Sequence, residues 1–466
     1  VRAVLFKGIG DLIPLYALYA VLFADHGLSA GQISSLLAMW SATAFLLEVP
    51  SGAWADTVSR RGLLVMSGVL LTAGFTCWTV LPTYLGFAIG FVLWGTSGAL
   101  VSGTFEALLY DELVARNEQR AYPRIIGYAR AASEAAIVIA ILGATPLYIW
   151  GGYPLLGWCS VAFAAVHTLV GLSLPSAPKA VSASAVEDLE DSSETSRAAD
   201  GLTAVMRDPS ASGFAGQLDG DIAERPHAAH SSETGRVAID AAETGPFGTY
   251  LNMLRTGVGE AIRVRAVRNV VALGALLFGV TAFDEYFALL AQEVGVATAV
   301  VPVLVGITVV GSLVGSVSAG RTEGMSARAM AIAVGLGGVL FVGGAVVAGL
   351  AVRWPGAVYV LAGVGFTAIG ASYGIVYNAS VVAGARLQDA IEGPARATVT
   401  SVSGLAAEVV ALAVFGFAAI ATMWLSMSTT VALLGASLLA IALLIPFSLP
   451  SRIGAAAEYE AAVADE

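Results

Sequence analysis

The side chains able to do chemistry in this sequence are ionisable groups set inside long apolar runs: Asp11, Glu48, Glu106, Arg130, Glu134, Asp284, Glu285 and Glu408. Such a group is costly in a bilayer unless it faces water or a partner, so each marks a candidate functional position. A carboxylate withdrawn from water takes up a proton more readily, which suits proton exchange. Six acids are therefore candidates for proton coupling: Asp11, Asp284, Glu285, Glu106, Glu134 and Glu408. Asp11 reads either as a protonatable acid on a polar path or as an acid paired with an arginine at the inner end. Asp284-Glu285-Tyr286 is the densest acidic spot in any apolar run. Helical neighbours point about 100° apart, so the two acids cannot both face a cavity squarely. Glu48, just before Pro50-Ser51-Gly52, suits an ion pair in a gate better than ligand contact. Arg130 and Glu134 are four apart and can pair on one helix face, with Glu106 near enough to join them. Glu408 stands alone and is open between cavity and packing.

Aromatic and amide side chains near these acids could line a site for an amphipathic molecule: Tyr16, Tyr19, Trp40, Trp94, Tyr286, Tyr373, Tyr377 and Asn378. Asp11 and Tyr19, eight residues apart, fall near one helical face. Packing and lipid contact are the competing readings for each aromatic. Metal chemistry finds no constellation: His227 and His230 lie in a polar stretch without further ligands, so no metal is expected. Cys77 and Cys159 fall inside apolar runs and read as small buried hydrophobes.

The elements that must position these groups follow from composition. Of 466 residues, 57% are hydrophobic and only 12% charged, where a soluble chain carries about 25% charged. Repeated apolar runs of about 20 residues predict an all-α integral membrane protein. About twelve spans are expected, at 4–23, 33–54, 63–81, 84–108, 126–148, 154–174, 268–292, 299–319, 329–351, 356–381, 397–422 and 427–448. With both ends inside, the outer loops hold one basic residue, Arg353, and the inner loops hold Arg60, Arg61, Arg116, Arg120, Arg124, Arg321, Arg328, Arg386, Arg396 and those of the central segment. That asymmetry sets the orientation, because Lys and Arg accumulate on the cytoplasmic side. The net charge of -11 resides largely in a central polar segment and the tail, and no basic stripe points to nucleic acid.

One charged turn anchors this topology: Gly52-Ala53-Trp54-Ala55-Asp56-Thr57-Val58-Ser59-Arg60-Arg61-Gly62. It resembles the loop between the second and third helices of the major facilitator superfamily, whose pattern is Gly-x-Leu-Ala-Asp-Arg-x-Gly-Arg-(Lys/Arg). Gly52, Ala55, Asp56, Arg60 and Arg61 match, while Trp54, Thr57 and Ser59 depart from it. The chain is thereby identified as resembling a bacterial member of that family, with no subfamily assigned. The resemblance implies twelve transmembrane helices in two pseudo-symmetric six-helix bundles. It also implies a gating role for Gly52, Asp56, Arg60 and Arg61. Asp56 would engage the N-terminus near Arg396-Ala397-Thr398, where the helix end favours an anion, and the arginines would brace neighbouring helices. Two signatures of drug-exporting members are weak: Gly95 and Gly98 lack a preceding arginine, and Gly143, Pro146, Gly151 and Gly152 are not spaced as in that motif.

The halves also resemble each other. Gly27 to Gly52 aligns without gaps on Gly295 to Gly320, 268 positions later, and Arg60 falls on Arg328, although Asp56 falls on Gly324. Such a parallel repeat predicts an axis along the membrane normal. The expected organisation is an N-terminal bundle over 1–174, an acidic disordered cytoplasmic linker over 175–266 ending in an interfacial helix, a C-terminal bundle over 267–450, and a tail over 451–466.

With no Gly-x-x-x-x-Gly-Lys-(Ser/Thr) for ATP, the expectation is a secondary active transporter working by alternating access. It would carry no cofactor, be driven by a proton gradient, and export an amphipathic compound or drug as an antiporter. Proton-coupled metabolite uptake and a non-transporting sensor or scaffold are the alternatives. An enzyme would need clustered His, Cys or Ser groups within spans, and His167 is the one histidine there. The expected partners are a small-molecule substrate and membrane lipid, with no nucleic acid. The chain is expected as a monomer in the cell inner (plasma) membrane with both termini cytoplasmic.

Overall fold

In the computed structural model the chain is all helix among the described residues, which are 1–176, 178, 265–390 and 396–449. The side chains of Val49, Ala53, Asp56, 265–267, 387–390 and 396–401 lie outside the description, as do the linker and the tail. Among the described residues, eleven segments are long and apolar enough to cross a membrane: Arg2–Asp25, Ala30–Glu48, Arg60–Val80, Tyr84–Ala115, Gln119–Leu172, Arg268–Glu293, Thr298–Thr322, Ala327–Leu350, Pro355–Arg386, Val402–Ala421 and Met427–Ser448. Gln119–Leu172 is two of them. Its backbone leaves helical geometry at Gly152, where φ is +60°, a value that glycine adopts without the clash a Cβ brings. Gly8 packs on Ala132 and Gly10 on His167. Residues 132 and 167 therefore share one depth, and the segment folds back near residue 150. Spans five and six form this hairpin, which brings the crossings to twelve, six in each half.

Counted this way, every turn carrying Arg60, Arg61, Arg116, Arg120, Arg321 or Arg328 lies on one face of the bundle, and Arg353 lies on the other. We call these the basic face and the opposite face. Helix starts on both faces are capped by hydroxyls. Ser29, Ser59, Thr83, Ser326 and Ser426 each accept a bond from a backbone N–H in the first turn, and Ser29 with Gln32 completes a capping box. These caps satisfy donors that a helix end otherwise leaves open.

The repeat is visible in the backbone. The turns after spans one and seven carry Gly27 at φ +87° and Gly295 at φ +88°, 268 positions apart. Both spans are also broken. Span one runs as Arg2–Gly10, a 3-10 turn Pro14–Ala17, and Tyr19–Asp25. Span seven runs as Arg265–Gly279, a 3-10 stretch Val280–Tyr286, and Phe287–Glu293. Pro14 explains the first break, since it lacks an N–H and its ring clashes with the preceding turn. No proline explains the second. There span eleven presses on Gly279, where a Cβ would stand 2.4 Å from the Ala407 carbonyl oxygen, and the Thr281 hydroxyl bonds back to Phe278. Span four, expected to be continuous over 84–108, is also broken: Gly103 at φ +65° separates Tyr84–Val101 from Thr104–Ala115.

Candidate functional site

The two halves meet at mid-membrane around the 3-10 stretch of span seven. Consecutive residues of such a helix diverge by about 120°, and Asp284 and Glu285 accordingly serve different bodies. Tyr373 of span ten donates to Asp284 at 2.5 Å, inside the C-terminal half. Tyr19 of span one donates to Glu285, across the halves. Tyr286 is fully buried and its hydroxyl pairs with Ser34 of span two at 2.8 Å, also across the halves. Two further bonds join the bodies. Ser41 donates to Glu408 at 2.5 Å, so Glu408 meets a partner in the other half. Gln292 donates to Asp25 at 2.6 Å, and Tyr153 donates to the other oxygen of the same carboxylate at 2.6 Å. By position along their spans, these cross-half bonds run from mid-membrane to the opposite face. Among the described residues the halves are thus pinned together on that side.

The N-terminal half contributes rings. Tyr16 stacks on Trp94 with centroids 4.9 Å apart and planes 10° apart, and Trp40 lies 5.2 Å from Trp94. Tyr19 touches Phe23, Trp78 and Phe91. Across from them Tyr373 and Tyr377 pack together at 4.9 Å. Seven of the eight expected lining residues therefore gather around the interface of the halves. Asn378 does not. Its amide bonds to the Gly315 carbonyl, to Ser318 and to Thr322 of span eight, where it ties two spans of the same bundle.

Asp11 sits at the break in span one, accepts a bond from Ser133 of span five, and lines a cavity of about 420 Å³ with Lys7, Tyr16, Trp94, Glu106 and His167. Glu106 does not join Arg130 and Glu134 as expected. The break at Gly103 turns it toward span one, where Lys7 stands 3.5 Å away. Glu134 is exposed and within electrostatic range of Asp11. Glu48 accepts a bond from Ser102 at 2.7 Å rather than from an arginine.

At the basic face, Arg60 forms an ion pair with Asp111 at 2.6 Å, with side chains 2% and 1% exposed. Arg60 also donates to the Ala55 carbonyl at 3.3 Å. The sequence reading missed Asp111. The signal was present: Thr104, Leu108 and Asp111 share one face of a short helix, and that face is buried. The roles expected of the Asp56 carboxylate and of the helix start at Arg396 fall on side chains outside the described residues.

The architecture has solved counterparts. The crystal structure of the nucleoside transporter NupG superposes with a TM-score of 0.60, covering 95% of this chain and 96% of that one at 10% identity, a likeness of fold. No curated protein matches the chain in sequence. A family model described as Major Facilitator Superfamily matches residues 3–407. With twelve crossings in two repeated bundles around a polar centre, the chain belongs to the major facilitator superfamily and is a membrane transporter, not an enzyme.

Proposed function

We propose that the chain exports a small amphipathic compound in exchange for protons, by alternating access, with the basic face and both termini in the cytoplasm of a cell whose inner (plasma) membrane it spans. The observation that carries this reading is the division of the acidic pair, Glu285 to Tyr19 of the other half and Asp284 to Tyr373 of its own. A hydrogen bond to an ionised carboxylate is roughly twice as strong as one between neutral groups. Protonation of Glu285 therefore weakens a bond that pins the halves, and loss of the proton restores it. The protonation of Glu285 and the contact between the halves are thereby linked. The rings of Tyr16, Trp40 and Trp94 give an amphipathic compound an apolar wall beside this switch. The basic-face asymmetry supports the orientation.

Proton flux in proteoliposomes tests the reading. Purified protein is reconstituted with a trapped pH dye and offered lipophilic cations, antibiotics, sugars and organic anions. Expected is proton movement opposite to one compound class, abolished in Glu285→Gln and reduced in Asp284→Asn. Substrate moving in the same direction as protons would overturn export in favour of uptake. Substrate moving with no proton movement would remove the acids from coupling.

A further inference from the structure

We infer that the cavity of the N-terminal half is a binding site for an organic monocation carrying an aromatic or similarly flat apolar body, with Asp11 and Glu106 as its counter-charges. This rests on the transport reading and adds to it a ligand class and a place distinct from the acids of span seven. The cavity, about 420 Å³, falls within the roughly 300–1,000 Å³ typical of small-molecule pockets. Spans one, three, four and six supply its walls, and it extends from Lys7 and Glu106 near the basic face to Tyr16 and Trp94 at mid-depth.

Its chemistry is that of cation recognition. The stacked Tyr16–Trp94 pair offers the ring faces that attract cations, tryptophan most strongly. Of the charged groups lining the cavity, two are carboxylates and one is an ammonium, and the exposed Glu134 lies within electrostatic range of Asp11. His167 adds no competing donor at Nδ1, which donates to the Phe6 carbonyl at 2.9 Å.

Glu106 is under-satisfied. One oxygen has only Lys7 at 3.5 Å, beyond good hydrogen-bond range, and Oε2 has no partner among the described residues. The terminal torsion of a glutamate is soft, so a turn about it presents that oxygen to an incoming cation. Lys7 itself lies over the Phe105 ring at 4.9 Å, which holds its charge aside. Lys7 is then a built-in competitor: it neutralises Glu106 in the empty site and yields when a better-fitting cation arrives.

Equilibrium binding of radiolabelled N-methyl-phenylpyridinium to the full-length protein in nanodiscs tests this without any transport step. Neutral phenylpyridine at mildly alkaline pH serves as the isosteric control. Expected are saturable binding of the cation, no competition by the neutral control, and binding at least about tenfold weaker in Glu106→Gln and in Asp11→Asn, as loss of a charge-assisted contact implies. Lys7→Gln should bind the cation more tightly, a gain that a general loss of fold cannot produce. Trp424→Ala, at a 75% exposed opposite-face position outside the cavity, should bind it unchanged. Equal competition by phenylpyridine, weaker binding in Lys7→Gln, equal loss in Trp424→Ala, or no saturable binding would each overturn the assignment. Intact binding with no proton-coupled flux would instead sink the transport reading and leave the site standing.

Discussion

Tyr19→Phe isolates a single atom of the proposed coupling. The substitution keeps the ring and with it the contacts to Phe23, Trp78 and Phe91 at 5.5, 5.8 and 5.8 Å. It removes the hydroxyl that donates to Glu285 across the halves. A hydrogen bond to a charged group contributes about 1.5–3 kcal/mol, so the state closed on the opposite face should lose population by roughly ten- to a hundredfold relative to the state open there. Trp150 and Trp424 report the change. They lie at opposite-face turns of different halves and are 78% and 75% exposed, so spin labels on cysteines placed there disturb no packing, once Cys77 and Cys159 are replaced. Distances measured between the labels should shift toward longer values in Tyr19→Phe. Tyr373→Phe is the matched control, because its bond to Asp284 stays within one half and should move the distribution little. If Tyr19→Phe leaves the distances unchanged, or if both variants shift them equally, the bond to Glu285 does not pin the halves.

Two further substitutions probe how the bundles are held. Asp111→Ala leaves Arg60 buried beside a lost partner 2.6 Å away and should destabilise the protein by about 3–5 kcal/mol, whereas Arg60→Met with Asp111→Leu should recover most of that loss; the folded fraction after heating, read by size-exclusion chromatography, ranks the three. Gly315→Ala would place a methyl 2.0 Å from the Gly374 carbonyl oxygen where spans eight and ten cross, and should cost about 1–3 kcal/mol of overpacking; unchanged thermal resistance would mean the two spans separate freely.

The crossings were legible because each needs about 20 apolar residues, and the repeat was legible because it is a matter of spacing. The offset of 268 read from Gly27 and Gly295 reappears as two matching positive φ angles. Helix rotation was much less legible. In a soluble protein, apolar residues mark the inward face. In lipid they mark both faces, since the surroundings are as apolar as the core. Trp78 is 1% exposed and Trp150 78% exposed, with nothing in residue type to separate them. Asn378, a candidate for the cavity, bonds span eight instead, a partner that its place in the sequence does not reveal. The break at Pro14 has a local cause in the sequence, yet span one was expected to run unbroken over 4–23, with Asp11 and Tyr19 on one helical face; the 3-10 turn Pro14–Ala17 separates them. The break of span seven owes nothing to proline and depends on span eleven pressing against Gly279, a tertiary cause that no local window contains. The break at Gly103 turned Glu106 away from the partners its spacing suggested and toward Lys7.

The repeat also separates what the two halves share from what they do not. Both interrupt their first span at corresponding depths, with Pro14–Ala17 in one and Val280–Tyr286 in the other. The side chains placed on that shared backbone have diverged: Tyr16 and Ala17 occupy the positions that Asp284 and Glu285 occupy 268 residues later. At these two positions one half thus carries Tyr16 and Ala17 and the other carries two acids. A 3-10 segment turns neighbouring side chains about 120° apart. That geometry lets adjacent acids contact different bodies, Glu285 reaching Tyr19 while Asp284 stays with Tyr373. A regular helix would turn them only about 100° apart and commit its backbone groups to its own ladder. The loosened turn sets the two acids toward different partners. It joins one acid to the other half and keeps the other with its own bundle; under the proposed exchange, a single proton on Glu285 would then change the contact between the halves without dissolving either one.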